Sequence, residues 1–326
     1  MTKPRVFVTR PLDREALACL EGHCELYFHS EDSALSPARL AEICAQRKMD
    51  GLIVAGAQVT EEVLRAAPQL RVVANAGVGY DNIDVVSCTA RRIPVTNAAG
   101  TLEETTADHA FALLMCVARR VAEGDRFVRD GRWKSWHWRM LWGSDVHHKT
   151  LCLYGFGNIG RAMAARARGF AMRVLYHTRR RAGAEVEKAS GAEYVDRETL
   201  LREADFLSLH VPLTAETRHL MRAADFSRMK RSAYLINTAR GPVVDEEALV
   251  VALKSGELAG AGLDVFENEP QVHPALLSMA NVVLAPHVGS ATSETRFRMA
   301  RVAAENLLAV LEGRRPPNVI NPEIYL

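Results

Sequence analysis

The chain has 326 residues, of which 48% are hydrophobic, and this suits about two domains with separate cores. Charged residues make up 25% and the net charge is only +2, which argues against a general binder of nucleic acids or of membrane surfaces. No stretch approaches the roughly 18 apolar residues of a membrane span, and residues 1–9 lack the apolar core of a signal peptide. We therefore expect a soluble, cytoplasmic protein.

The six cysteines are scattered along the chain, and none belongs to a C-x-x-C pair. Such spacing favours neither a disulfide framework nor a metal site. We expect reduced thiols and no bound metal.

Strand and helix patterns alternate through the first part of the chain. Because this alternation is typical of a parallel sheet covered by helices, it predicts an α/β domain. In the stretch NAGVGYDNID at 75–84, two glycines flank Val78 directly after a strand. Exposed N–H groups could hold an anion there, and an ordinary loop is the alternative. The predicted strands are 5–9, 25–28, 51–55, 71–74 and 93–96, and the predicted helices are 13–20, 36–47 and 61–66.

Residues 103–120 predict a long helix with an apolar middle, buried between domains. Asp108 and His109 are neighbours in this helix and would point about 100° apart. This favours a packing or hinge role for them over a catalytic one.

All four tryptophans lie in residues 130–145, a segment with neither helical nor strand periodicity. A segment so rich in aromatic residues either packs on its own domain or lies in a subunit interface, and we favour the interface. The basic residues between the tryptophans could suggest single-stranded nucleic acid, which the small net charge disfavours. We therefore expect a homodimer with 130–145 as its dimerisation arm.

The stretch LCLYGFGNIG at 151–160 has the pattern of a buried strand followed by G-x-G-x-x-G, and a helix is predicted at 161–168. Gly155 would allow the tight turn, Gly157 the approach of a pyrophosphate, and Gly160 the close packing of the helix on the strand. This context predicts a dinucleotide site rather than a plain tight turn.

After the next predicted strand, 173–176, the chain reads HTRRR from His177 to Arg181. A site that prefers NAD usually has Asp or Glu here to bind the ribose hydroxyls. Thr and Arg would instead bind a 2′-phosphate. The sequence therefore predicts NADP, with NADPH preferred and NAD possible, and a solvated basic turn is the alternative.

Three side chains that could carry chemistry follow successive predicted strands. An arginine can hold a carboxylate and polarise a neighbouring carbonyl. A protonated imidazole can deliver a proton to the developing alkoxide, and a carboxylate beside it keeps it charged and oriented. Alone, Arg240 could be a surface charge, Glu269 a loop cap and His287 a core histidine. Because all three follow successive strands, we expect them to lie together in one crevice. The predicted strands are 206–212, 235–237 before Arg240, 260–265 before Glu269 and 282–285 before His287, followed by a helix at 294–311 and an extended tail at 318–326.

The chain resembles the D-isomer-specific 2-hydroxyacid dehydrogenases over nearly its whole length. The matching stretches are NAGVGYDNID, EETTADHAFALL, GFGNIG, LSLHVPLTAET, INTARGPVVDEEAL, GAGLDVFENEP and APHVGSAT. The resemblance implies two doubly wound parallel-sheet domains. One is a discontinuous, flavodoxin-like substrate domain at 1–98 plus 289–326, and the other is a Rossmann NAD(P)-binding domain at 99–288. It also implies that the 130–145 arm is exchanged in a homodimer.

The same resemblance assigns roles to individual residues. Arg240, Glu269 and His287 would be the substrate-binding arginine, the carboxylate partner of the acid and the general acid. Val78, Gly79, Arg240 and Ser290 would bind the substrate. Cofactor-binding residues would be Thr106, Gly155, Phe156, Gly157, Asn158, Ile159, Gly160, Thr178, Arg179, Arg180, His210, Val211, Pro212, Thr217, Thr238, Ala239, Asp264, His287 and Gly289.

Within the family, Arg179 and the GSAT run at 289–292 resemble glyoxylate/hydroxypyruvate reductases and 2-ketogluconate reductases. The expected function is NADPH-preferring reduction of small 2-oxo acids to D-2-hydroxy acids by hydride transfer, with His287 as general acid. The alternatives are a 2-ketogluconate reductase or a non-enzymatic NAD(P)-sensing protein that resembles a corepressor. His148 and Cys152 stand where the family often has glycine, and we expect neither to touch the chemistry.

Overall fold

The computed structural model describes residues 3–326 and divides the chain into two compact units. Unit 1 comprises the residues up to Leu102 together with Ala291–Leu326, and unit 2 comprises Glu103–Ser290. The boundaries proposed from the sequence, after residues 98 and 288, lie a few residues earlier in the chain. Unit 1 is discontinuous because the last long helix packs on the first sheet.

Each unit contains one sheet, and the paired strands of both sheets are parallel. The strands are β1 (Arg5–Val8), β2 (Glu25–Phe28), β3 (Gly51–Val54), β4 (Val72–Asn75), β5 (Val95–Thr96), β6 (Thr150–Tyr154), β7 (Arg173–His177), β8 (Ala192–Tyr194), β9 (Phe206–Leu209), β10 (Tyr234–Asn237), β11 (Gly260–Leu263) and β12 (Val282–Leu284).

The strand orders confirm the predicted fold class. In unit 1 the order is β2-β1-β3-β4-β5, which is the flavodoxin-like order. In unit 2 the order is β12-β11-β10-β9-β6-β7-β8, which is the Rossmann order with one further strand. In both sheets the order reverses beside the first strand of the unit, and ligands of such sheets bind at that reversal.

Both sheets are covered on their two faces, because successive residues of a strand point to opposite sides. In β1, Val6 packs into one core of unit 1 and Phe7 into the other. In β6, Cys152 and Leu153 divide in the same way between the two cores of unit 2. Cys152 therefore lies in a core of unit 2, and burial raises the pKa of its thiol. Strands buried on both faces consist of short apolar runs, which is why the sequence predicts them well.

Helices connect the parallel strands, and none among residues 3–326 is both long enough and apolar enough to cross a membrane. They are α1 (Pro37–Arg47), α2 (Glu61–Ala66), α3 (Val85–Ala90), α4 (Glu103–Ala118), α5 (Val121–Arg129), α6 (Asn158–Arg168), α7 (Ala184–Ser190), α8 (Arg197–Glu203), α9 (Ala223–Phe226), α10 (Glu246–Ser255), α11 (Pro274–Ser278) and α12 (Ser293–Leu311).

Several predicted elements differ from the structure in their bounds or type, and three of these differences have a clear physical reason. The predicted strand 206–212 ends at Leu209, before Pro212, which has no N–H group for a ladder. The predicted helix 13–20 is a 3₁₀ helix at Glu15–Leu20, a form that short segments commonly take. The tail is not fully extended, since Pro322–Tyr325 forms a 3₁₀ helix that begins at a proline.

Candidate active site

Most candidate residues of unit 2 lie in loops that follow its parallel strands, at one edge of the sheet. Thr106 is the exception, since it is buried on α4. The candidates in these loops are Gly155, Phe156, Gly157, Thr178, Arg179, Arg180, His210, Val211, Pro212, Thr217, Thr238, Ala239, Arg240, Asp264, Glu269, His287, Gly289 and Ser290, while Asn158, Ile159 and Gly160 form the first turn of α6.

The glycine-rich loop joins β6 to α6 where the strand order reverses. Gly155 has a φ of +96°, and a Cβ there would lie 2.5 Å from the carbonyl oxygen of His210. A Cβ at Gly160 would lie 2.4 Å from the Gly155 carbonyl oxygen, so the third glycine packs against the turn itself. At Gly157 a Cβ would meet nothing within 4 Å, which leaves space for a pyrophosphate to approach. The helix begins at Asn158, earlier than predicted, so its first N–H groups belong to this loop.

Other side chains of this loop serve the packing of the protein. Phe156 stacks on Tyr176 with ring centroids 4.0 Å apart. Asn158 accepts a hydrogen bond from Arg161, and Ile159 packs against the core. Any contact between Phe156 and a cofactor must therefore come from the backbone.

The basic loop after β7 contains three arginines, and two of them make no hydrogen bond or ion pair within residues 3–326. Arg181 donates two hydrogen bonds of 2.8 Å to Glu187, which together with the Tyr176 hydroxyl lower the pKa of that carboxyl to about 2. Arg179 and Arg180 are exposed, and neither is hydrogen-bonded or ion-paired to another residue within 3–326. These two arginines can therefore bind a phosphate without breaking an existing pair.

The loop after β9 contains a neutral histidine and a hydroxyl that is already bonded. Burial lowers the pKa of His210 to about 4, and its Nε2 lies 2.9 Å from Ser208 Oγ. Thr217 Oγ1 donates to the Pro212 carbonyl at 2.6 Å and accepts from the Thr214 N–H at 2.8 Å. The Thr217 hydroxyl therefore shapes its own loop.

The loop after β10 contains Arg240 and packs against the loop after β11. The Asn237 side chain accepts from the Ala239 N–H at 3.0 Å and donates to the Arg240 carbonyl at 3.1 Å. A Cβ at Gly241 would lie 1.8 Å from the carbonyl oxygen of Phe266, so no other residue fits where the two loops touch. Arg240 is thus fixed by its backbone on both sides.

Thr238 Oγ1 is buried and has no hydrogen-bond partner within residues 3–326. A bound cofactor could supply that partner, because buried polar groups are almost always paired. Together with the open face at Gly157 and the unpaired guanidiniums of Arg179 and Arg180, this hydroxyl fits a nicotinamide dinucleotide. Within the described residues 3–326, no group of three or more His, Cys, Asp or Glu is arranged to hold a metal ion.

Glu269 and His287 form a hydrogen-bonded pair beside Arg240. His287 Nδ1 donates to Glu269 Oε2 at 2.8 Å, and Glu269 Oε1 accepts from the Phe266 N–H at 3.0 Å. Burial alone would raise the pKa of Glu269, but the bond to His287, its charge, the Phe266 N–H and the charge of Arg240 lower it further than burial raises it. The pair leaves His287 Nε2 as the nitrogen that can deliver a proton.

Asp264 uses its carboxylate within the protein. Oδ1 accepts from the Val288 N–H and Oδ2 from the Gly289 N–H, each at 2.8 Å. The carbonyl of Asp264 accepts from the His287 N–H at 2.8 Å. Asp264 therefore holds the loop of His287, a contact that the cofactor assignment from sequence did not foresee.

Unit 1 contains a second anchored loop, directly after β4. Asn75 Nδ2 donates to the Gly79 carbonyl at 2.7 Å, and Asn97 Nδ2 donates to the Val78 carbonyl at 2.8 Å. No group within residues 3–326 accepts a hydrogen bond from the N–H of Val78 or Gly79. The carbonyls of this loop are thus occupied and its N–H groups are available to an anion.

Sequence reasoning missed three anchoring side chains. Asn75 and Asn97 each lie at or just after the end of a strand in unit 1, a position that could have flagged them. His109, expected to have a packing or hinge role, lies 3.2 Å from Asp264 Oδ1 through its Nε2. Its only signal in the sequence was its place in the matching stretch EETTADHAFALL.

Comparison with known proteins identifies the family. Residues 111–289 match the family described as D-isomer specific 2-hydroxyacid dehydrogenase, NAD binding domain. A glyoxylate reductase of Korarchaeum cryptofilum is 52% identical over 99% of this chain and 97% of its own length. The corresponding values for a glyoxylate reductase of Thermococcus litoralis are 48%, 99% and 98%.

A solved structure shows the same architecture over nearly the whole chain. The NADPH-dependent glyoxylate/hydroxypyruvate reductase of Sinorhizobium meliloti, in complex with NADP and malonate, superposes with a TM-score of 0.87. It is 35% identical, and the match covers 98% of this chain and 97% of that one. This chain therefore belongs to the D-isomer specific 2-hydroxyacid dehydrogenase family, whose members are NAD(P)-dependent oxidoreductases.

Proposed function

We propose that this protein is an NADPH-preferring reductase of small 2-oxo acids, glyoxylate and hydroxypyruvate, which it converts to D-2-hydroxy acids. The observation that carries the proposal is the Glu269–His287 pair, 2.8 Å apart, beside Arg240 at the edge of the Rossmann sheet. The relatives named glyoxylate reductase, which match nearly the whole chain, support this substrate class.

Each side chain has one task in this reaction. Arg240 holds the substrate carboxylate and polarises the carbonyl. His287 Nε2 delivers a proton to the oxygen of that carbonyl as it becomes an alkoxide. Glu269, whose lowered pKa keeps it ionised at neutral pH, orients the imidazole and stabilises its charged form. When bound, the nicotinamide supplies the two electrons of the reduction.

The backbone of unit 1 supports the binding of the same substrate class. The N–H groups of Val78 and Gly79 have no acceptor within residues 3–326, and a carboxylate satisfies both. Neither side chain is needed for this contact, so the loop selects for an acid and not for the rest of the substrate.

A panel of acids tests the substrate assignment. Purified protein with NADPH should reduce glyoxylate and hydroxypyruvate with a higher kcat/KM than 2-ketogluconate. A reversed ranking would instead establish a 2-ketogluconate reductase. If the protein binds NADPH but turns over none of the three acids, the non-enzymatic sensor is the better description.

The preference for NADPH rests on the loop after β7. Arg179 and Arg180 are exposed and unpaired within residues 3–326, whereas Arg181 is bound to Glu187. Arg179 also feels the charge of Glu216, but it makes no ion pair or hydrogen bond with the described residues, so its guanidinium can bind a 2′-phosphate with charge-assisted hydrogen bonds. The solved relative that carries NADP is described as NADPH-dependent, which supports this preference.

Arg179→Ala should lower the ratio of kcat/KM for NADPH to that for NADH by about 10- to 100-fold, the effect of losing a charge-assisted contact. Arg181→Ala is the matched control, because it removes a neighbouring guanidinium that is already paired, and its ratio should stay near that of the wild type. Equal losses in the two variants would assign the effect to overall charge and reject a specific phosphate contact.

The tryptophan segment is proposed to be the arm of a homodimer. Its four tryptophans are 55% to 75% exposed, and α5 directly before it has no buried residue. A second copy of this chain can cover these side chains, in keeping with the exchanged arm that the family resemblance implies. In that arrangement Trp138, Met140 or Leu141 lines the partner's active site and limits substrate size.

Sedimentation and selectivity test the arm together. The wild type should sediment as a dimer, and Trp138→Ala should raise kcat/KM for bulky 2-oxo acids relative to glyoxylate. Aromatic anchors of interfaces often contribute about 2 kcal/mol or more, so the variant should also dissociate at a higher concentration. A fully active wild-type monomer would reject the arm.

A further inference from the structure

We infer that His109 is a positioning residue for the proton donor, because it fixes the carboxylate of Asp264 and so holds the backbone of the His287 loop. The catalytic part of this inference rests on the proposed function of His287. The positioning part concerns the protein alone and can be measured without turnover.

The His287 loop has a left-handed residue, and three of its successive N–H groups bond to one residue, Asp264. His287 has a φ of +54°, in the left-handed region that is uncommon for residues other than glycine. The N–H groups of His287, Val288 and Gly289 all bond to Asp264, the first to its carbonyl and the others to its two carboxylate oxygens, each at 2.8 Å. Strained conformations persist where the surroundings determine them in this way.

The carboxylate of Asp264 can hold two successive N–H groups only in one rotational state. Its side chain is 2% exposed, so no solvent fixes it. His109 Nε2 donates to Oδ1 at 3.2 Å, the same oxygen that accepts from Val288. His109 lies on α4, a helix that packs against β11, the strand directly before Asp264. This third contact ties the carboxylate to a helix outside the loop.

Close packing at Gly289 shows that the arrangement has little freedom. A Cβ there would lie 3.0 Å from Asp264 Oδ2, 3.6 Å from Thr106 Cγ2 and 3.9 Å from His109 Cδ2. Thr106 and His109 lie almost one turn apart on α4, so one face of that helix closes on the loop. Gly289 is the residue that lets the loop approach this face.

Asp108, the neighbour of His109, provides a matched control. Its carboxylate pairs with Arg166, whose Nη2 lies 2.6 Å from Oδ1, and its side chain is largely exposed. Adjacent residues of a helix point about 100° apart, and here only His109 reaches Asp264. A role in packing the helix would be shared by both residues, whereas a role in positioning the proton donor belongs to His109 alone.

The test compares His109→Leu, His109→Gln and Asp108→Asn with the wild type, in kinetics with glyoxylate and in amide hydrogen exchange. His109→Leu removes the donor and should lower kcat by about 10- to 100-fold, as small misplacements of catalytic groups do, with KM and the Kd for NADPH nearly unchanged. His109→Gln keeps an N–H donor and should recover most of this loss. Asp108→Asn should behave as the wild type.

Hydrogen exchange reads the positioning without turnover. In His109→Leu, the amides of Val288 and Gly289 should exchange about tenfold faster than in the wild type, while those of β11 keep their protection. Unchanged exchange at these two amides, or an equal fall of kcat in the Gln and Leu variants, overturns the inference. If the wild type fails to reduce glyoxylate but the two amides still respond to His109→Leu, the positioning stands and the proposed function fails.

Discussion

Two loops of the molecule follow parallel strands and are anchored in opposite ways. In unit 1, the buried amides of Asn75 and Asn97 donate to carbonyls, and the N–H groups of Val78 and Gly79 are left over. In unit 2, the buried carboxylate of Asp264 accepts N–H groups, and the side chain of His287, which is bonded to Glu269 through Nδ1, remains available through Nε2.

The side chain that holds each loop therefore determines which groups of the loop remain available to a ligand. An amide that donates ties down carbonyls and leaves a backbone surface of donors, which suits an anion. A carboxylate ties down N–H groups and leaves no backbone donors, so such a loop must act through a side chain. The loop of unit 1 therefore suits the binding of an anion, and the loop of unit 2 acts through the side chain of His287.

The largest expected effect comes from replacing His287, the proposed proton donor of unit 2. His287→Gln should lower kcat for glyoxylate by about 10²- to 10⁴-fold, which is the usual contribution of a general acid. KM should change little, because the variant keeps the anchored loop and Arg240. Steady-state kinetics at saturating NADPH provide the measurement, and a loss expressed mainly in KM would assign His287 to binding.

The next largest effect should come from replacing Asn97, the side chain that holds the Val78 loop in unit 1. It should appear in KM rather than in kcat. Asn97→Asp replaces a donor to the Val78 carbonyl with an acceptor, which should turn the loop and raise KM for glyoxylate by about 10- to 100-fold. The value of kcat should stay within a few-fold.

Asn82→Asp is its control within the same stretch of chain, because Asn82 donates in the same way but to the carbonyl of Ala57, at 2.7 Å, and not to Val78 or Gly79. If the two aspartate variants have equal KM values, the loop has no special role.

Removing the charge beside the proton donor should shift a pH profile. Because the pKa of Glu269 is lowered, it is ionised throughout the range in which an imidazole titrates, and it stabilises the charged form of His287. Glu269→Gln removes this negative charge, so the alkaline limb of kcat/KM should move to lower pH. A limb that does not move rejects the pairing.

The smallest effect concerns a left-handed residue that has no proposed part in the chemistry. His148 has a φ of +58°, and its N–H donates to the Phe170 carbonyl at 3.0 Å. His148→Gly should relieve the strain and raise the free energy of unfolding by up to about 1 kcal/mol, since the gain is partly offset by the greater entropy of an unfolded glycine. Urea denaturation measures the change, and kcat should remain that of the wild type.

Much of the fold could be predicted from the sequence because strands buried on both faces leave short apolar runs such as GLIV at Gly51–Val54. The glycine-rich loop was equally readable, because Gly155 and Gly160 are required by local backbone contacts. Both signals lie within a few neighbouring residues.

The anchors could not be predicted in the same way. His109 and Asp264 are 155 residues apart in the chain, and no periodicity links them. Asn97 and Val78 are 19 residues apart, and a buried amide looks like any other asparagine in a sequence. Such contacts depend on where separate elements meet, which only the folded chain determines.

The most direct test of the account is a pair of rate measurements, glyoxylate-dependent oxidation of NADPH by the wild type and by His287→Gln. The wild type should turn over steadily, with kcat on the order of 1–10³ s⁻¹ as for most enzymes. The variant should bind NADPH normally and lose at least about 100-fold of that rate. No glyoxylate-dependent oxidation by the wild type, or equal rates in the two proteins, would contradict the account.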